Sequence, residues 1–147
     1  AQKAAERRQK GEEDQPPSAL DGVALALPAL TRAVKLQKRA AREGFDWPDA
    51  EAVWPKIDEE LDELRAGIAA GDRENIEEEI GDVLFAITNL ARKLGVDPEA
   101  ALRGCNAKFE RRYRGMEAVA AERDIRLADL PLDAQEAIYR EVKRRGA

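Results

Sequence analysis

The chain has 147 residues, of which 44% are hydrophobic and 37% charged, with a net charge of −5. That is apolar material for one cored domain, and the acidic balance argues against a nucleic-acid surface. With no histidine and one cysteine, the sequence excludes Ser-His-Asp triads, Cys-His dyads, histidine-ligated zinc and an internal disulfide. A bound metal must therefore be held by oxygen, which favours Mg²⁺, Mn²⁺ or Ca²⁺. One thiol and the lack of any long apolar stretch fit a cytoplasmic setting.

Residues 1–22 read as a leader. A charged, helix-prone start runs into Glu12-Glu13-Asp14-Gln15-Pro16-Pro17-Ser18, which is linker chemistry. The remainder, 23–147, reads as one all-α domain. A first helix runs from Pro28 to about Arg42 and ends at Gly44. The loop after it carries Phe45 and Trp47. A second helix starts near Pro55, has the apolar stripe Ile57, Leu61, Leu64 and Ile68, and ends at Gly71. Asp72 caps a third helix that runs through Leu94, with Ile80, Val83, Leu84, Ile87, Leu90 and Leu94 as its apolar side. Asp97 and Pro98 open a fourth, which carries Ala101, Leu102, Cys105, Phe109 and Met116 and frays near Arg123. Cys105 reads as a core filler. A last helix covers about Asp133 to Arg145. The expected architecture is a four-helix-bundle-like core with an added C-terminal helix. Apolar residues on more than one side of these helices suggest a partner subunit.

Two acidic clusters stand out. Glu60 and Glu63 are three residues apart on the second helix, and Glu79 and Asp82 are three apart on the third. Each pair shares a helix face, and each member sits one residue before a stripe residue. If the helices pack antiparallel through their stripes, the four carboxylates converge beside the seam. Like charges brought together repel and lose hydration, and a divalent cation removes the conflict. The competing reading is a plain solvated acidic face, common in a chain with 30 acidic residues.

These residues resemble the MazG family of all-α NTP pyrophosphatases. Its E-E-x-x-E and E-x-x-D pattern reads here as Glu59-Glu60-Leu61-Asp62-Glu63 and Glu79-Ile80-Gly81-Asp82. Gln37-Lys38-Arg39 before Gly44-Phe45-Asp46-Trp47, Asp82 to Ala86 with Asn89-Leu90-Ala91-Arg92, and Asn106 to Arg112 agree as well. The resemblance spans roughly 20 to 145. It implies Mg²⁺-dependent attack of water on the α-phosphorus of nucleoside triphosphates, releasing pyrophosphate. By the motif match Glu60, Glu63, Glu79 and Asp82 are the metal ligands, and Glu59 is assigned as base for the water or a support to the ligands. Lys108, Arg111 and Arg112 belong to the family's basic motif and are expected on phosphate, with Arg39 a weaker candidate. Trp47 is expected either to stack on the base or to pack on the core or a partner chain. Tyr139, followed by Lys143, stands where the family usually has tryptophan, which leaves base preference open.

The family builds dimers, so a homodimer is expected, with nucleoside triphosphates as ligands and neither nucleic acid nor membrane as partner. Long members have two similar domains, which makes this chain the C-terminal half of such a protein or a one-domain relative. The alternatives are a related hydrolase acting on dUTP, dCTP or phosphoribosyl-ATP, and a non-catalytic helical interaction module.

Overall fold

The structure, a computed structural model, describes residues 15–147. The first fourteen residues of the expected leader lie outside that range. Among the described residues there are five α-helices and no strands. They are α1 (Ala29–Arg42), α2 (Trp54–Ala70), α3 (Arg73–Lys93), α4 (Pro98–Glu122) and α5 (Leu132–Arg144). Each end lies within about one residue of its expected place, because the termini are written in local chemistry. Gly71 closes α2 at φ +67°, a left-handed conformation that glycine adopts without penalty. The Asp72 carboxylate accepts from Asn75 N (3.3 Å), and Asp97 accepts from Glu99 N (3.0 Å) and Ala100 N (3.3 Å). Two short 3₁₀ turns, Glu51–Val53 and Leu127–Asp129, were not expected from the sequence.

The chain divides into two compact units, the first ending at Gly95 and the second being Val96–Ala147. In the first, the two-residue turn Gly71-Asp72 folds α3 back against α2, an αα-hairpin on which α1 also packs. Its core is Val53, Ile57, Ala86 and Leu90, covered by Trp47, Ala50 and Leu61. In the second unit α4 and α5 enclose Met116, Val119, Ala120, Leu127, Ile138 and Val142. Their approach is close at Gly115, where a Cβ would lie 2.8 Å from Val142 Cγ1. Gln135 Nε2 donates to Leu127 O (2.8 Å) and Leu130 O (3.2 Å), which ties down the connection between the helices.

Only part of the apolar side expected for α3 is buried: Leu90 lies in the core and Val83 is half-buried. Ile80, Leu84, Ile87 and Leu94 are exposed, as is Ile68 on α2. The buried α3 residues are Glu79, Ala86, Thr88, Asn89 and Leu90. The helix carries apolar side chains on two faces. The Trp47–Val53 segment and α2 cover the smaller one and leave the larger one bare. Cys105 is likewise exposed and not a core filler. The helix turns around it hold Leu102 and Phe109, also exposed, and α4 reaches its core only from Met116 onward.

Candidate active site

Glu60 and Glu79 are 5% and 8% exposed, and so lie within the α2–α3 seam instead of beside it. One oxygen from each of Glu60, Glu79 and Asp82 falls within 4.8 Å of the other two. Glu63 is exposed, yet its charge acts on Glu79. Of the four carboxylates expected to converge, three do so, the buried pair Glu60 and Glu79 with the exposed Asp82, while Glu63 stays exposed nearby. Lys56 Nζ pairs with Glu60 Oε1 at 2.8 Å and holds that carboxyl below the usual range. Glu79 has no such cation. Burial first, and then the Glu63 carboxylate, push it up to about 7.

Oε2 of Glu60 and Oε2 of Glu79 are buried without a hydrogen-bond partner. Buried carboxylate oxygens seldom stay unsatisfied. Several of them facing one point form the donor set a hard divalent cation prefers, so these residues fit a magnesium-type ion. Glu59, the neighbour on α2, turns outward and meets Lys56 at 3.4 Å. Adjacent helical residues do not share a face, and here one points in while the other is solvated.

Glu60 and Asp82 open onto a cavity of about 310 Å³ lined also by Trp47, Val53, Lys56, Phe85, Ala86 and Asn89. Its size is at the lower end of small-molecule sites. Trp47 is placed there by its neighbour. The Asp46 carboxylate accepts from Arg92 Nη1 (3.3 Å), from Arg92 Nη2, and from Lys93 Nζ (3.1 Å). The Arg92 guanidinium holds Asp46 down at about 2. This clamp ties the loop to the end of α3, so Trp47 packs on the core and borders the cavity while Phe45 stays exposed. Of the two readings of Trp47, packing on the core is what the fold shows, and its place at the cavity leaves stacking on a base open.

The basic residues expected on phosphate are placed differently from one another. Lys108 and Arg111 are exposed on α4. Arg112 turns toward α5, where Nε donates to Ala147 O (2.9 Å), Nη1 donates to Tyr139 Oη (3.0 Å), and the guanidinium lies 5.7 Å from the Tyr139 ring centroid. Arg112 and Tyr139 are brought together, each engaged with the other. Arg39 Nη1 donates to Ala19 O (3.2 Å) and Asp21 O (2.8 Å), so it pins the segment before α1. Those four side chains other than Arg39 belong to the second unit, and the carboxylates, Trp47 and Arg39 to the first.

Sequence reasoning gave no role to Lys56 or Asn89. Asn89 had a signal: an amide inside the apolar run Val83 to Leu90, where asparagine is a poor helix former. Gln37 is similar, being 6% exposed on a polar helix with Nε2 donating to Phe85 O at 3.0 Å. Lys56 offered no signal that separates it from a surface lysine.

Comparison with known proteins follows the same residues. The family model described as the MazG nucleotide pyrophosphohydrolase domain matches residues 49–116, a span that contains all the carboxylates. The chain is 45% identical over 144 residues to the nucleoside triphosphate pyrophosphohydrolase of Escherichia coli strain K12, covering 97% of this chain and 53% of that protein. It is 43% identical over 117 residues to the nucleoside triphosphate pyrophosphohydrolase/pyrophosphatase MazG of Thermotoga maritima, covering 80% of this chain and 45% of that one. The uncharacterized protein YabN of Bacillus subtilis is 41% identical over 127 residues, 86% of this chain and 26% of its own length. The chain spans about half the length of the first two relatives.

Proposed function

Because residues 49–116 make this chain a member of the MazG family, we propose that it hydrolyses nucleoside triphosphates to nucleoside monophosphate and pyrophosphate, with water attacking the α-phosphorus. The observation that carries the reading is the set of three carboxylate oxygens within 4.8 Å, two of them on buried side chains, at the edge of the cavity that Trp47 borders. Glu60, Glu63, Glu79 and Asp82 would hold magnesium, or manganese. When bound, such an ion neutralises the phosphate oxygens and the charge that develops as pyrophosphate leaves.

The chain's own groups do the rest. Lys56 balances Glu60, which keeps that carboxyl ionised for ligation. Glu59, solvated beside Glu60, is assigned to hold or deprotonate the attacking water, and full activity in Glu59→Gln would remove it from that role. Lys108 and Arg111 supply exposed charge for the phosphate oxygens, while Arg112 and Tyr139 hold each other in place. Trp47 offers the base a flat wall.

The working unit is a homodimer, because Ile80, Leu84 and Ile87 are too much exposed apolar surface on one helix to leave in water. A strictly monomeric species that is fully active in light scattering and assay would refute this. No helix among the described residues is long and apolar enough to cross a membrane, which is compatible with a cytoplasmic enzyme.

The test is pyrophosphate release from a panel of NTPs and dNTPs with Mg²⁺, wild type against Glu63→Ala and Asp82→Ala. Release by the wild type alone supports the reading. A wild type inert on every nucleotide overturns it.

A further inference from the structure

The cavity beside the carboxylates holds a polar group that the hydrolysis does not use. Asn89 is 3% exposed, lies on α3 and borders the cavity with Trp47 and Phe85. Its Oδ1 accepts from Arg92 Nε (3.0 Å) and Arg92 Nη2 (2.6 Å). Arginine has donors only, so the amide must turn its oxygen to Arg92 and its Nδ2 the other way. Nδ2 makes no hydrogen bond among the described residues. Arg92 cannot swing to release it, because its side chain is only 10% exposed and is clamped by Asp46 from the loop, with Lys93 on the same carboxylate.

A chain of contacts spanning 46 residues thus sets one amide in one orientation and leaves one donor group pointing away from its anchor. Asn89 follows Asp82 by seven residues on the same helix, about 10 Å along the axis. Both border the same cavity. That is the length scale on which a nucleotide carries its base beyond its α-phosphate, and the part of the base farthest from the phosphate is the edge bearing a keto or an amino group.

We propose that Asn89, oriented by Arg92 and Asp46, is a base-reading residue that presents an amide donor to a keto oxygen and so disfavours nucleotides with an amino group at that place. The inference rests on the pyrophosphohydrolase reading above and names the substrate class within it: keto-base nucleoside triphosphates ahead of their amino counterparts. Asn89 contacts substrate. Arg92 and Asp46 are positioning residues.

The experiment compares kcat/KM for UTP against CTP, and for ITP against ATP, in saturating Mg²⁺. Wild type is expected to favour the keto member of each pair by roughly tenfold or more, the scale on which a fixed hydrogen-bonding group discriminates. Asn89→Asp keeps the shape and stays paired with Arg92, but it replaces the donor by an acceptor, so the ratios should fall below one. Asp46→Ala frees Arg92 and should bring both ratios toward one. A ratio does not move when a variant merely loses active protein, and because Asp46→Ala also loosens Trp47, the inversion expected in Asn89→Asp is the result that a structural defect cannot imitate. Ratios in Asn89→Asp equal to those of wild type overturn the inference, as does a wild type that hydrolyses all four nucleotides alike. Either result leaves NTP hydrolysis standing. A wild type inert on all four removes the underlying reading and this inference together. If Asn89→Asp does not fold, by circular dichroism, Asp46→Ala decides: an unchanged ratio overturns the proposal.

Discussion

The two units each place charged side chains between paired helices, and they do so in opposite ways. In the second, Glu141 of α5, the carboxylate that pairs across to α4, meets two cations. Arg123 and Arg145 each reach Glu141 at 2.7 Å, and Arg123 holds that carboxyl below its ordinary range. Arg112 spends its donors on Tyr139 and Ala147. In the first unit Glu60, Glu79, Asp82 and Glu63 crowd together against one lysine, two buried oxygens lack partners, and Glu79 is pushed up to about 7. Satisfied opposite charges are what a fold needs. Like charges left unsatisfied cost stability and persist where a ligand completes them. On the proposed function, the contrast separates the charges that hold this protein together from those that would hold a ligand.

The largest effect that would break the comparison is on catalysis. Asp82→Ala should lower pyrophosphate release by about a hundredfold or more, the scale of losing one electrostatic stabiliser, with little change in melting temperature. A variant that melts early and keeps its activity would place Asp82 among the structural charges.

Glu79 gives the next effect, through its sign. Its folded pKa of about 7 stands above the ordinary 4.5, so the metal-free fold binds the extra proton between those values. Its contribution to stability is complete below pH 4.5 and is lost as pH rises through about 7. Thermal melts in chelator should therefore show the midpoint falling across that window, and Glu79→Gln should flatten the slope while abolishing hydrolysis. Added Mg²⁺ should raise the midpoint most at the alkaline end, where the carboxylate is ionised.

On the structural side, Gly115→Ala brings a Cβ to 2.8 Å from Val142 Cγ1. Overpacking of this kind costs about 1–3 kcal/mol, readable by urea denaturation. Smallest is Tyr139→Phe. It removes the acceptor for Arg112 Nη1 and should cost about 1 kcal/mol. Phenylalanine keeps the ring, so KM for nucleotide should stay put if Tyr139 serves Arg112 by its hydroxyl. A large rise in KM would return the hydroxyl to the substrate.

The helices and the carboxylate set were legible because both are written at short range. Gly71 and Asp72 mark one boundary, Asp97 and Pro98 another, and each acts through its own backbone and the next few amides. Glu60 with Glu63, and Glu79 with Asp82, declare a shared face by a spacing of three. The Asp46–Arg92–Asn89 chain was not legible, because 46 residues separate the loop carboxylate from its guanidinium and no period connects them.

The sequence by itself determined five helices and their ends, and it marked the carboxylates Glu60, Glu79 and Asp82 that the fold brings together, since propensity, capping and residue chemistry are local. The tertiary structure alone decided which face of α3 turns inward. Periodicity marked Ile80, Val83, Leu84, Ile87, Leu90 and Leu94 as one apolar side, yet of these the chain buries only Leu90, sets Ala86 beside it in the core, and sinks Glu60 and Glu79 into the seam. A helix with two apolar faces offers two packings, and only the segments that return to cover it, Trp47 to Val53 and α2, select between them.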